Sequence, residues 1–273
     1  MSSKKGILGF LYGTALGRVI LKPLTAVWLS KLAGAFLSSR LSKPLIKGFV
    51  KSNNIDLNDY TDQNFSCFND CFCRKIKPEL RPIDMVKAHL IAPCDGSLSA
   101  YKISGDTVLP IKQSLYTVDE LLGGNPIAKD FYDGICLVFR LAVDNYHRYC
   151  YFDSGSKDEN TFIKGKLHTV RPIALGTYPV FKQNCREYTV IESENFGTAV
   201  QVEVGAMLVG KIKNHHGAHT FKRGEEKGTF LYGGSTIILL LKKGAAKIDE
   251  KYFTATNEER ETPVKMGECI GEK

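Results

Sequence analysis

Four places in this 273-residue sequence carry side chains that could do chemistry. The first is Gly233-Gly234-Ser235-Thr236, which joins a strand-like run ending at Tyr232 to Ile237-Ile238-Leu239-Leu240-Leu241. The glycines can take backbone angles that a side chain forbids, and Ser235 then presents a hydroxyl at the corner. The second is Ala92-Pro93-Cys94-Asp95-Gly96, a single acid between an apolar strand and a turn. The third is Val143-Asp144-Asn145-Tyr146-His147-Arg148, a lone histidine at the start of a strand. Each has an ordinary alternative: a β-bend or bulge for the glycines, an Asp-Gly turn for Asp95, a packed imidazole for His147. An Asp, a His and a Ser far apart in sequence are compatible with a nucleophilic triad, since triads are assembled by the fold in any chain order, but spacing alone does not bring them together. The fourth place, Lys213-Asn214-His215-His216-Gly217-Ala218-His219, reads as a surface loop. A metal site there would want carboxylate or cysteine partners that the sequence does not assign, so no metal is expected.

The elements that must position these residues are short strands. Candidates are His89 to Ala92, Leu98 to Ile103, Cys136 to Ala142, Arg148 to Phe152, Lys166 to Val170, Arg186 to Glu192, Ala199 to Val204, Met207 to Ile212, Thr229 to Tyr232 and Ile237 to Lys242. A helical turn is expected over Val118 to Leu122, and a short helix capped by Ser66 precedes the Pro-punctuated arm through Arg74-Lys75-Ile76-Lys77-Pro78 and Arg81-Pro82. The pattern predicts a mainly β protein, an antiparallel barrel or sandwich-like domain over 56–273, preceded by short membrane-associating α-helices in 1–55.

The charge supports that division. Of 37 basic residues, nine lie before Asp56 in a stretch with no Asp or Glu, and the remaining 28 face 29 acidic ones. Basic residues placed beside apolar runs suit an anionic membrane surface better than nucleic acid, where stacking aromatics and a folded basic face are expected. The apolar runs Gly6 to Gly17 and Leu24 to Leu37 are too short to span a bilayer. Interfacial or re-entrant helices fit; a signal peptide is the rival, opposed by the charges inside the run. A helix from Ser42-Lys43-Pro44 sets Leu45, Ile46, Phe49 and Val50 against Lys43, Lys47 and Lys51. The eight cysteines, many within apolar runs, suit reduced thiols in a cytoplasm, and Cys67-x3-Cys71-x-Cys73 lacks a second ligand pair at zinc-finger spacing.

Whole motifs in order carry a resemblance. Over Phe65 to Lys242 the chain resembles the phosphatidylserine decarboxylase family: Phe68-Asn69-Asp70 with Arg74 to Pro78 and Arg81-Pro82; Ala92 to Gly96; Asp144 to Arg148; Asn184-Cys185-Arg186-Glu187; Val204-Gly205-Ala206 with Val209 to Ile212; Arg223 to Gly228; and Gly233-Gly234-Ser235-Thr236, which looks like the family's processing motif. The resemblance implies a proenzyme in which Asp95 orients a histidine, the histidine deprotonates Ser235, and the Ser235 oxygen attacks the Gly234 carbonyl. Cleavage between Gly234 and Ser235 then yields a β chain, 1–234, and an α chain, 235–273, that begins with a covalently bound pyruvoyl group derived from Ser235. This group forms a Schiff base with phosphatidylserine and releases carbon dioxide and phosphatidylethanolamine. A heterodimer of the two chains, with a higher homo-oligomer left open, is implied at the cytoplasmic face of the cell membrane. The chain departs from the family at Cys150, where many members have a second histidine; His147 then serves both steps, or His168 supplies the imidazole. Two alternatives differ in class: a related pyruvoyl decarboxylase acting on another serine-headed lipid or a soluble amine, and a non-catalytic membrane-tethered β-domain.

Overall fold

Residues 237–241 are apolar without alternation, the pattern of a strand covered on both faces. In the computed structural model, which describes residues 7–24, 27–104, 109–111, 114–166, 184–205, 211–231 and 235–273, the strand Ser235–Leu241 is buried along all seven residues. It lies within a nine-stranded antiparallel sheet running in the order His219–Phe221, Gly155–Lys157, Arg186–Ser193, Gly197–Val204, Ser235–Leu241, Ile135–Leu141, Gly96–Lys102, Thr262–Val264, with Thr161–Ile163 paired beside Arg186–Ser193. Ser235 faces Leu141 on one side, and Thr236 faces Arg140 on that side and Val204 on the other. Gly134 is required at the far end of the pairing, because a Cβ there would lie 2.1 Å from the Leu241 carbonyl oxygen.

A smaller sheet, Lys211–Asn214, Glu226–Leu231 and Arg148–Cys150, carries the chain toward Ser235. Another, His89–Ile91, Cys269–Glu272 and Lys247–Ile248, packs the C-terminus, and Leu109–Ile111 pairs with Ser114–Tyr116. The mainly β expectation holds, as open sandwich-like sheets: the long sheet ends at His219–Phe221 and at Thr262–Val264, and no closed barrel forms among the described residues. The turn expected at Val118 is the helix Val118–Leu121, with Thr117 and Glu120 closing a capping box. In the helix Phe68–Phe72 the N-cap position falls on Cys67, whose side chain makes no capping bond, and not on Ser66, whose hydroxyl and amide instead bond the Asp70 carboxylate. The expected strand from Lys166 lies outside the described residues beyond its first position, where Lys166 bridges Asn184. That from Met207 is described only from Lys211, within Lys211–Asn214. The helix Glu250–Asn257 and the strands after it have no counterpart in the sequence reading.

Four helices, Ile7–Gly13, Ala15–Leu24, Val27–Leu37 and Leu45–Ser52, make up the N-terminal segment. They are not a separate appendage. Leu11, Tyr12 and Leu21 are buried in the main core, and Leu37 packs with Phe68 and Phe72. Among the described residues no helix is long and apolar enough to cross a membrane.

One buried polar layer lies inside the β domain. Lys227 and Glu203, both fully buried, form an ion pair at 2.7 Å. Asn214 accepts from Lys227 Nζ at 2.8 Å and donates to Glu187 and Glu203, while Gln201 donates to Glu203 at 3.0 Å. Gly228 lets Tyr149 enter this layer: a Cβ there would lie 2.5 Å from the Tyr149 hydroxyl, which donates to Asn214. Removing one partner of a buried pair strands the other charge at a cost of about 3–5 kcal/mol. Lys227→Met should lose that much stability in urea unfolding. Adding Glu203→Leu should restore most of it.

Candidate functional site

Ser235 opens the central strand and has no exposed surface. Its Oγ has no hydrogen-bond partner among the described residues, and neither has Thr236 Oγ1. A buried hydroxyl is ordinarily paired, so two unsatisfied ones in succession mark a place where the fold does not use the side chain for stability. Gly233, Gly234 and His168 lie outside the described residues.

His147 is built from the neighbouring strand. The Ile135–Leu141 strand, which pairs Leu141 with Ser235, ends in a turn closed by two reciprocal bonds: the Ala142 amide donates to Asn145 Oδ1 at 2.8 Å, and the Asn145 amide donates to the Ala142 carbonyl at 3.0 Å. His147 Nδ1 then donates to the Asn145 carbonyl at 2.9 Å. A carbonyl can only accept, so the proton of the neutral ring sits on Nδ1 and Nε2 carries the basic lone pair. The His147 carbonyl accepts the Phe230 amide at 3.0 Å and the Thr229 hydroxyl at 3.2 Å. These contacts tie it to the strand that leads to the Gly-Gly-Ser corner. The buried imidazole packs against Phe72, with ring centroids 4.2 Å apart. The chain thus approaches Ser235 from two sides, the turn after Leu141 and the strand Glu226–Leu231, and His147 is bonded into both.

Arg74 holds this arrangement from behind. Its buried guanidinium lies 4.6 Å from the Tyr60 ring centroid and donates to the Cys71 and Phe72 carbonyls and, at 3.1 Å, to the Asp144 carbonyl. It therefore fixes the helix bearing Phe72 against the turn bearing His147. Arg148 continues the seam, donating to the Cys73 carbonyl and pairing with Glu226 at 2.7 Å. These roles were not visible in the sequence, although Arg74 belongs to one of its motifs.

Asp95 is buried, but its partners are not those the triad implies. Arg81 grips it side-on, Nε to Oδ1 at 2.7 Å and Nη2 to Oδ2 at 2.5 Å, and the Met266 amide donates to Oδ1 at 2.9 Å. The hydrogen bonds that Arg81 donates to Asp95 raise its guanidinium further above its already high range. Asp95 makes no hydrogen bond to His147 among the described residues; the ring is oriented by the Asn145 carbonyl instead. The motif acid thus joins the Pro-rich arm to the C-terminal segment at Met266, a link between sequence positions that no local pattern signals.

Cys150, at the second-histidine position, is fully buried, and its amide donates to the Pro93 carbonyl at 2.8 Å. Burial pushes its thiol up to about 12, so near neutral pH it holds its proton and is no base. All eight cysteines are free thiols, and of these only Cys269 is exposed. On the self-cleavage that the motif resemblance implies, with His147 as its base, Cys150→Ser should leave cleavage before Ser235 within about threefold of the parent rate, whereas His147→Gln should slow it by the roughly 10²–10⁴-fold that a general base contributes, both read by gel analysis of freshly made chain. Loss of cleavage in Cys150→Ser, with the fold intact, would assign the thiol a part that its burial denies it.

Comparison with known proteins agrees with the motif pattern and extends it. Residues 68–272 match the family described as Phosphatidylserine decarboxylase. The phosphatidylserine decarboxylase proenzyme 2 of Clostridium acetobutylicum is 45% identical over 270 residues, covering 98% of this chain and 92% of that protein. The phosphatidylserine decarboxylase proenzyme of Ruminiclostridium cellulolyticum is 40% identical, covering 97% and 90%. That of Clostridium botulinum strain 657 is 39% identical, covering 97% and 92%. With this coverage, and with the buried Ser235 and His147 on adjoining elements, the chain belongs to the phosphatidylserine decarboxylase family.

Proposed function

We propose that the chain is a phosphatidylserine decarboxylase, a carboxy-lyase made as a proenzyme that cuts itself between Gly234 and Ser235. The observation that carries this reading is the unpartnered, buried Ser235 Oγ at the start of the central strand, directly after two glycines. His147, with Nε2 as its basic nitrogen, takes the Ser235 proton, and the Oγ attacks the Gly234 carbonyl carbon, converting the amide to an ester and freeing the Ser235 amine. Loss of the Ser235 α-proton then expels the Gly234 carboxylate and leaves a dehydroalanine. Water replaces its nitrogen, released as ammonia, so that the second chain begins with a pyruvoyl group. Asp95 acts through Arg81 to hold the arm and the Met266 segment in place during these steps.

The orphaned hydroxyl and the burial around it fit a pyruvoyl group at this position. When formed, that group supplies an electron sink for decarboxylation of an amino acid headgroup. The remaining duties belong to the chain: the core surrounds Ser235 and Thr236 and holds them in place, and His147 holds a proton at a defined nitrogen.

The 1–55 segment meets the lipid. Phe10, Leu16, Val19, Ile20, Trp28 and Phe36 are exposed beside exposed Arg18, Lys22, Lys31, Lys43, Lys47 and Lys51, a surface suited to an anionic bilayer at the cytoplasmic face of the cell membrane. The β-rich part, 56–273, carries the reaction.

Intact mass should show two chains, 1–234 and an amino-terminally blocked 235–273, while Ser235→Ala remains a single inactive chain. A full-length, unmodified chain that decarboxylates lipid would overturn the mechanism. Each basic residue near an anionic surface contributes about 1 kcal/mol, so Lys43→Gln/Lys47→Gln/Lys51→Gln should weaken binding to phosphatidylglycerol-containing vesicles on the order of 100-fold at low salt, read by cosedimentation.

A further inference from the structure

The histidine loop that the sequence left without a carboxylate acquires one in the fold. His216 and His219 stack at 3.9 Å between ring centroids, with 17° between their planes, and both direct Nε2 at the same oxygen of Glu225: Oε1 lies 2.8 Å from His219 Nε2 and 3.9 Å from His216 Nε2. One donor atom from each residue lies within 4.8 Å of the others, and all three residues are half-buried. We propose that His216, His219 and Glu225 bind one divalent transition-metal ion, with zinc as the best match.

The donor set selects the class of ion. Two imidazoles and one carboxylate suit zinc and its first-row neighbours; calcium and magnesium prefer all-oxygen shells. Three protein ligands leave a fourth position for water. The surroundings already hold the donors in place. Tyr151 Oη lies 3.2 Å from His216 Nδ1, so an Nδ1–H can donate to the phenol oxygen and leave Nε2 as the ligating nitrogen. The Lys222 amide donates to Glu225 Oε2 at 3.0 Å, which keeps Oε1 turned toward the histidines. Tyr151 is fixed in turn by stacking on Phe221, at 3.8 Å between centroids and 7° between planes.

Binding replaces the hydrogen shared between His219 and Glu225 by the ion, and the His219 proton moves to Nδ1. No electron is transferred, and the ion takes no part in decarboxylation. Its place is structural: it closes the 215–225 loop where the Glu226–Leu231 strand begins, the strand that runs to the Gly-Gly-Ser corner.

The test is calorimetric titration of tag-free, chelator-stripped protein with zinc chloride, followed by thermal unfolding. One ion per chain is expected, with an unfolding temperature that rises with free zinc. Tyr151→Phe should weaken binding about 10–100-fold, as loss of a supporting hydrogen bond does, and His219→Ala by more, while Asp84→Ala/Cys269→Ser, which disrupts the other three-ligand group in the described residues, should leave this affinity unchanged. Unaltered zinc affinity in a folded His216→Ala/His219→Ala chain, or no stoichiometric binding by the parent, overturns the assignment.

Discussion

The antiparallel pairing of Ser235–Leu241 with a strand on each side is the constraint on which the rest depends. Six registered residues face Gly197–Val204 and seven face Ile135–Leu141, and none of the seven side chains reaches solvent. A break in the chain before Ser235 leaves both ladders intact, so the new chain end stays where the fold put it. The pairing also explains why such a site is built on one polypeptide. Two separate chains would have to find each other and insert a fully buried strand between two others, losing translational freedom that a continuous chain does not lose.

The reactive groups are held mostly by main-chain atoms. His147 is fixed through the Asn145 carbonyl on its ring and through its own carbonyl on the Thr229–Phe230 pair; among the described residues Arg74 donates to three carbonyls. A carbonyl partner sets the orientation and tautomer of the ring without itself carrying a full negative charge. The carboxylates sit one layer back, Asp95 on Arg81 and Glu203 on Lys227, where each is neutralised by a cation within 2.7 Å.

How much of this was legible follows the range of each signal. The continuous apolar run 237–241 read as a buried strand, and alternating runs such as Arg186–Ser193 and Gly197–Val204 were found to within two residues, because periodicity is local. The helical turn expected at Val118 to Leu122 is the helix Val118–Leu121. The strands after Lys242 are two to four residues long and carry no period, so only the tertiary pairings of Lys247–Ile248 and Cys269–Glu272 define them. At the site, Ser235, His147 and Asp95 could be nominated from their motifs. The partners could not: Arg81 meets Asp95 across 14 positions, Met266 meets it across 171, and Glu225 joins two histidines only after the loop folds back.

Leu11, Tyr12 and Leu21 share one hydrophobic core with the central sheet, and Leu37 is packed against the helix whose Phe72 backs His147. The exposed apolar side chains of the same helices are thus rigidly coupled to the site by a few packed layers. On the proposed reading, a bilayer that took up Trp28 and Phe36 would do more than raise the local concentration of the protein. It would fix the pitch and depth at which the sheet stands over that surface, making reach toward a headgroup a matter of angle and not of tether length.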